Sequence, residues 1–171
     1  MRAEQALQKF KESAAVTSSE VQAVLANPAE RQALYKLLLG EQLRPMATLI
    51  RVAFQKEAEY RDALWEGTAE DDGDYYEGIY RCAFLLYCLG TPEDIPALWQ
   101  AKYLNMDVGT SMGAEFFIGA GLDESIKFIE NTDHPESSEI AAYIQGWFSQ
   151  PDAMQWQKTW EEDMRSIISD A

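Results

Sequence analysis

The sequence predicts an all-α protein with no significant β-sheet, because strand signals are missing and helix punctuation recurs. No segment alternates apolar and polar residues over strand length, and no Asn-Gly or Asp-Gly turn joins β-branched runs. Proline and glycine steps instead separate stretches whose apolar residues fall three and four apart. About eight or nine helices are expected, arranged as a short α-solenoid of antiparallel pairs.

Each element has its own signal. Asn27-Pro28-Ala29-Glu30 offers a cap, a proline at the first helical position and an early acid. Leu34, Leu37 and Leu38 follow, and Gly40 is expected to stop that helix. A second helix is expected from about Pro45 to Trp65, with Leu49, Val52, Ala53, Tyr60 and Leu64 facing inward. Thr68–Asp74 (TAEDDGD) is too polar for a core and reads as a loop. Asp74 and Glu77 then form a capping box for YYEGIYRCAFLLYCL, which is apolar on nearly every side and should be the most buried helix. Gly90 ends it. Pro96 would cost a hydrogen bond deep inside a helix, so Asp94 is the expected cap, with Pro96 in the tolerant first turn. Ile95, Leu98, Trp99 and Tyr103 give that helix one apolar stripe. Further helices are expected at about 112–119, 123–131, 137–149 and 152–168, the last with Trp156, Trp160, Met164 and Ile167 on one face.

The helix junctions near residues 27, 91, 122 and 150 lie 64, 31 and 28 residues apart. A period near 30 with two helices per unit predicts a HEAT-like solenoid, with an irregular helical bundle as the alternative. One α-helical domain is expected over 1–171. It divides into N-terminal helices (1–66), an acidic loop (67–74) and the helix pairs (75–171).

Charge is unevenly spread. The formal net charge is −15, yet residues 1–56 carry eight Lys/Arg against five Glu. Between Glu57 and Glu77 stand nine acids and one base, Arg61. Such a field repels nucleic acid and anionic membranes and speeds the approach of basic partners. No apolar run reaches the ~18 residues of a membrane helix, and the N-terminus has no signal-peptide core, so a cytoplasmic location is expected. Cys82 and Cys88, six apart on a helix, sit about 9 Å apart along the axis and on different faces. They are expected to be free, buried thiols.

The inventory leaves little for catalysis. The single histidine, His134, precedes Pro135 in a loop, so neither a His-paired nucleophile nor a two-histidine metal site is available. Gly119-Ala120-Gly121 lacks the third glycine and the preceding strand of a phosphate loop. Glu70-Asp71-Asp72-Gly73-Asp74 departs from the EF-hand pattern in its early glycine and missing terminal Glu. No cofactor, metal or catalytic residue is expected.

The run TPEDIPALWQAKYLNMDVGTSMGAEFFIGAGLDESIKFIE (91–130) resembles small, acidic, α-helical immunity proteins encoded beside polymorphic toxins of the Rhs and contact-dependent types. The residues that carry the resemblance are Pro92, Glu93, Asp94, Trp99, Ala101, Lys102, Asn105, Asp107, Glu115, Phe116, Phe117, Gly119 and Gly121. Met106 departs from it, standing where the family has an aromatic. The resemblance implies no turnover. It implies a single cognate toxin or effector domain, with a basic active-site surface, whose groove an acidic face occludes. A non-catalytic helical-repeat adaptor or effector chaperone is the alternative, and oligomeric state is left open. On this reading Glu66, Glu70, Asp71, Asp72, Asp74, Tyr75 and Tyr76 form part of the toxin-binding face, extended along the helix by Glu59 and Asp62. The Asn105–Gly109 break reads first as a fold corner. There Asn105 and Asp107 cap nearby backbone, Gly109 and Gly113 let the chain reverse, and Lys102 pairs with Glu115 or Asp107. Its alternative places Asn105, Asp107 and Glu115 on the toxin-facing surface.

Overall fold

The computed structural model describes residues 2–71 and 73–171. Ten α-helices run through the described residues, with four short 3-10 turns and no strand. They are α1 (Arg2–Ser13), α2 (Ser19–Ala26), α3 (Pro28–Leu38), α4 (Ala47–Glu66), α5 (Gly78–Leu89), α6 (Ile95–Lys102), α7 (Met106–Ser111), α8 (Leu122–Asn131), α9 (Ser137–Phe148) and α10 (Ala153–Asp170). The all-α expectation holds. The count exceeds eight or nine partly because the polar break after Lys102 is itself a short helix, α7. None of the helices is long and apolar enough to cross a membrane.

The chain divides into two compact units. The first holds the described residues up to Leu85 together with Arg165–Ala171. In it α1, α2 and α3 pack on one another, and α2 and α3 also touch α4. Helix α1 buries Ala3, Ala6, Leu7 and Phe10, an i, i+3, i+4, i+7 stripe. Asn27 caps α3 as expected: its Oδ1 accepts from the Ala29 and Glu30 amides at 2.9 and 3.2 Å, with Pro28 at the first position. That helix stops at Leu38, short of Gly40, whose φ is not positive.

Helix α4 differs from expectation in what it buries. Its inward stripe is Leu49, Ile50, Ala53, Phe54, Glu57 and Arg61. Glu57 is fully buried, and three donors hold its carboxylate: Arg31 Nε at 2.7 Å, Arg31 Nη2 at 3.3 Å and Tyr35 Oη at 2.6 Å. Arg31 also donates Nη1 to the Leu25 carbonyl at 2.7 Å, so the cluster joins α2, α3 and α4. Helix α5 comes close enough that a Cβ on Gly78 would lie 2.6 Å from Glu57 Oε2 and 2.5 Å from Gln32 Nε2. Glycine is required there by space, not by backbone conformation. Farther along α4, Arg61 donates to the Tyr76 carbonyl at 2.8 Å and lies over the Tyr76 and Tyr80 rings.

Helix α5 is the most enclosed element, with Ile79, Cys82, Ala83, Phe84 and Leu85 all at 0% exposure. Its start departs from expectation. Asp74 makes no side-chain cap, and a 3-10 turn over Tyr75–Glu77 leads into Gly78. Gly90, at φ +71°, ends α5 as expected. Neither cysteine is in a disulfide; Cys82 is buried as expected, whereas Cys88 is only half-buried.

The second unit spans Leu86–Met164. Helix α6 begins at Ile95 with Pro96 in its first turn, but Asp94 makes no side-chain cap hydrogen bond to it. Ile95, Leu98 and Trp99 face inward, whereas Tyr103 is 63% exposed because α6 ends at Lys102 and the stripe ends with it. Trp99 packs edge-on or tilted against Tyr103, Phe117 and Tyr143, a ring cluster joining α6, α9 and the 3-10 turn at Ala114–Phe117. That 3-10 turn replaces the helix expected at 112–119. A Cβ on Gly119 would collide with the Tyr87 backbone, so the chain after Phe117 lies directly against α5. Gly121, at φ +100°, leads into α8, which packs on α9. Along α10 the inward residues are Ala153, Gln157, Met164 and Ile168, while Trp156 and Ile167 are about half exposed. The expected Trp156–Ile167 stripe is therefore offset from the buried one.

Two predictions follow from the Glu57 cluster. Truncating Glu57→Ala strands a buried guanidinium and a buried phenol, and should lower unfolding free energy by roughly 3–5 kcal/mol in denaturant titration. Burial raises the Tyr35 phenol and the Cys82 thiol well above their ordinary 10.0 and 9.0. The unfolded chain then loses these protons first, so stability falls as pH rises past about 9, by up to ~1.4 kcal/mol per unit for each group. In alkaline thermal melts Cys82→Ala should remove the part of that loss that begins near pH 9.

Candidate functional site

In the first unit the expected site residues gather around the end of α4. Gly67, at φ +74°, closes that helix, with Thr68 N bonded back to the Ala63 carbonyl at 2.9 Å. Asp71 organises the loop that follows: its carboxylate accepts from the amides of Tyr75 (2.9 Å), Gly73 (3.4 Å) and Tyr76 (3.4 Å). Tyr60 Oη reaches both the Glu70 carbonyl and Asp71 Oδ1 at 3.5 Å. Asp71 thus does the capping expected of Asp74. Asp74 instead takes the left-handed conformation, φ +58°, which a short polar side chain tolerates.

The loop therefore spends one acid, Asp71, on its own shape and presents Glu70 and Asp74. Glu66, Glu70 and Asp74 are exposed, Asp62 and Tyr75 are half-buried, and Asp72 lies outside the described residues. Glu59 is exposed but paired, 2.8 Å from Lys56 Nζ and within reach of the Gln55 amide, so its charge is partly cancelled. The Tyr76 phenol reports the local field. Its pKa is raised, first by the Glu77 carboxylate, then by slight desolvation and by Asp74 and Asp71. Trp65, 56% exposed beside Glu66, is an exposed ring that sequence reasoning passed over. Its position in the last turn of α4, past the inward stripe, was the available signal.

In the second unit the Asn105–Gly109 stretch is a corner built by side chains. Asn105 Oδ1 accepts from the Val108 amide at 3.1 Å and caps α7. Lys102 donates to the Gly109 and Met112 carbonyls at 2.7 and 2.9 Å and lies over the Tyr143 ring. Its ammonium is thereby committed to backbone oxygens where a carboxylate was expected. Burial lowers its pKa, and nearby Glu115 partly offsets that. Gly109 and Gly113 supply no reversed backbone. Gly109 instead gives clearance, since a Cβ there would be 2.9 Å from the Lys102 carbonyl. Glu115 is half-buried and accepts from Trp156 Nε1 at 2.8 Å, while its own carbonyl accepts from Gln157 Nε2 at 2.9 Å. It fastens the 3-10 turn to α10. Of the three residues offered here as partner-facing, Asp107 alone is exposed; Asn105 and Glu115 are half-buried.

Lys102, Tyr103, Asn105, Met106, Gly109 and Thr110 line a hollow of about 470 Å³ in this unit. Met106 is 73% exposed. Leu86–Met164 holds 14 acids against three lysines, a net of −11, whereas the rest of the chain holds 15 acids against 11 bases, a net of −4. The larger net charge belongs to the second unit, not to the unit that carries the acidic loop. His134 is a loop residue whose Nδ1 accepts from the Glu136 amide at 3.1 Å, and no cluster of three metal-ligating side chains occurs among the described residues.

The division of labour in the loop is testable by hydrogen exchange. Asp71→Ala should speed exchange of the Tyr75 and Tyr76 amides by roughly two- to thirtyfold, as removal of a cap costs about 0.5–2 kcal/mol. Glu70→Ala should leave those amides unchanged. No protein family, curated protein sequence or solved structure matches the chain.

Proposed function

We propose that this chain is a non-catalytic immunity protein, working in the cytoplasm, that captures a basic toxin or effector domain and blocks its substrate groove. The observation that carries the reading is the loop after α4. Asp71 fixes its backbone from within, so Glu66, Glu70 and Asp74 stand exposed beside Trp65 and Tyr76. A surface already ordered before binding loses less entropy on association. Aromatic area flanked by unpaired-sign charge is the composition in which binding energy concentrates, and the charge steers a cationic partner. HEAT-like helix pairs belong to the same proposal. The direct packing of consecutive helices, α1 on α2, α2 on α3 and α8 on α9, supports it.

Co-expression with the toxin domain encoded by the neighbouring gene should restore growth. Combining Glu66→Lys and Glu70→Lys with Asp74→Asn should lower the on-rate by about tenfold or more at low salt, with the difference shrinking toward 1 M salt. An unchanged on-rate would remove the loop from the interface. Improved export of the effector without rescue would favour the adaptor reading.

A further inference from the structure

We propose that Trp65 and Asp62 form an anchor that takes one arginine side chain of the partner, an inference that names what the binding face of the first unit recognises and rests on the reading above. Four aromatic side chains stand well exposed among the described residues: Trp65, Tyr76, Tyr103 and Trp156. The fold uses three of them. Arg61 lies 5.5 Å from the Tyr76 ring centre, Tyr103 packs on Trp99, and the Trp156 indole donates to Glu115 Oε1. Trp65 alone has neither a ring contact nor a hydrogen bond among the described residues. Its ring and its Nε1–H are left for an incoming group.

Helix geometry supplies the charge. Asp62 precedes Trp65 by three residues on α4, so the two side chains share one face a single turn apart. The Asp62 carboxylate is half-buried and has no ion pair or hydrogen bond among the described residues. Glu66, exposed and likewise unpaired there, follows Trp65 directly. The nearest base on the helix is turned away from this pair. Arg61 is 6% exposed and donates to the Tyr76 carbonyl and the Tyr80 hydroxyl at 2.8 and 3.5 Å. Lys56 is taken by Glu59. An apolar group laid on the indole would strip water from Asp62 and give it no partner. A guanidinium answers both features, because its plane stacks on a ring face while its fork donates to a carboxylate. A lysine ammonium answers the charge without the stacking plane or the fork.

The probe is the toxin domain encoded by the neighbouring gene, titrated against the full chain. Trp65→Ala and Asp62→Asn should each weaken binding by about tenfold or more, Trp65→Ala mainly through faster dissociation. Trp65→Tyr should recover most of the affinity, because it keeps a ring face. Trp65 has no partner within the fold, so its variants should melt with wild type; Trp65→Gln serves as the second variant if Trp65→Ala does not. Double-mutant cycles should couple Trp65→Ala and Asp62→Asn to one and the same arginine-to-alanine change in the toxin. If the toxin binds and all these variants bind like wild type, the anchor is overturned while the immunity reading stands. If affinity falls but the two positions couple to no common arginine, or Tyr fails to restore it, the arginine occupant is overturned. If the wild-type chain does not bind the toxin, both readings fall together.

Discussion

A carboxylate held by three donors inside a helical cluster sets the geometry of the first unit. Glu57 has no water to turn to, so its charge is tolerable only while Arg31 and Tyr35 stay within hydrogen-bond distance. That demand fixes α3 against α4, and the Arg31–Leu25 bond extends it to α2. It also dictates a glycine at 78, where any side chain would enter the space of the carboxylate. The pair need not add net stability over an apolar core of the same shape. What it adds is discrimination, since a slipped register would leave a charge buried alone.

The same logic recurs more mildly in the second unit. There the polar groups hold corners instead of a core. Lys102 closes the turn around α7, Asn105 starts that helix, and Glu115 receives the Trp156 indole. Side chains that sequence reasoning offered as partner contacts are mostly occupied in this internal work. Tyr103 and Met106 are exposed there. A polar residue in a turn is thus weak evidence for a binding surface, and an exposed ring beside it is stronger.

Much of the fold was legible from local rules. Asn27-Pro28 marks a helix start that the Asn27 side chain makes in three dimensions, and the apolar run after Gly78 is the buried helix it promises to be. Glu57 and Arg61 were missed for an instructive reason. They continue the Ile50, Ala53, Phe54 spacing, but their charge argued against burial unless partners are known, and Arg31 and Tyr35 are 26 and 22 residues away. Asp71 and Asp74 were confused because both precede the helix within a few residues. Which carboxylate reaches the amides depends on a left-handed Asp74 that no spacing rule specifies. The hollow beside α7 was hidden by the polar look of Asn105–Gly109, which reads as a break although its central residues are helical.

The self-bonded loop at Asp71 has a bearing on how such a surface can change over generations. Its conformation is written in the Asp71 side chain, a few amides and the left-handed Asp74, while charge is written in others, at 66 and 70. Substitutions at the second set can therefore redraw the electrostatic pattern without remaking the scaffold beneath. The surface charge of the loop can thus change one residue at a time, with folding left intact at each step.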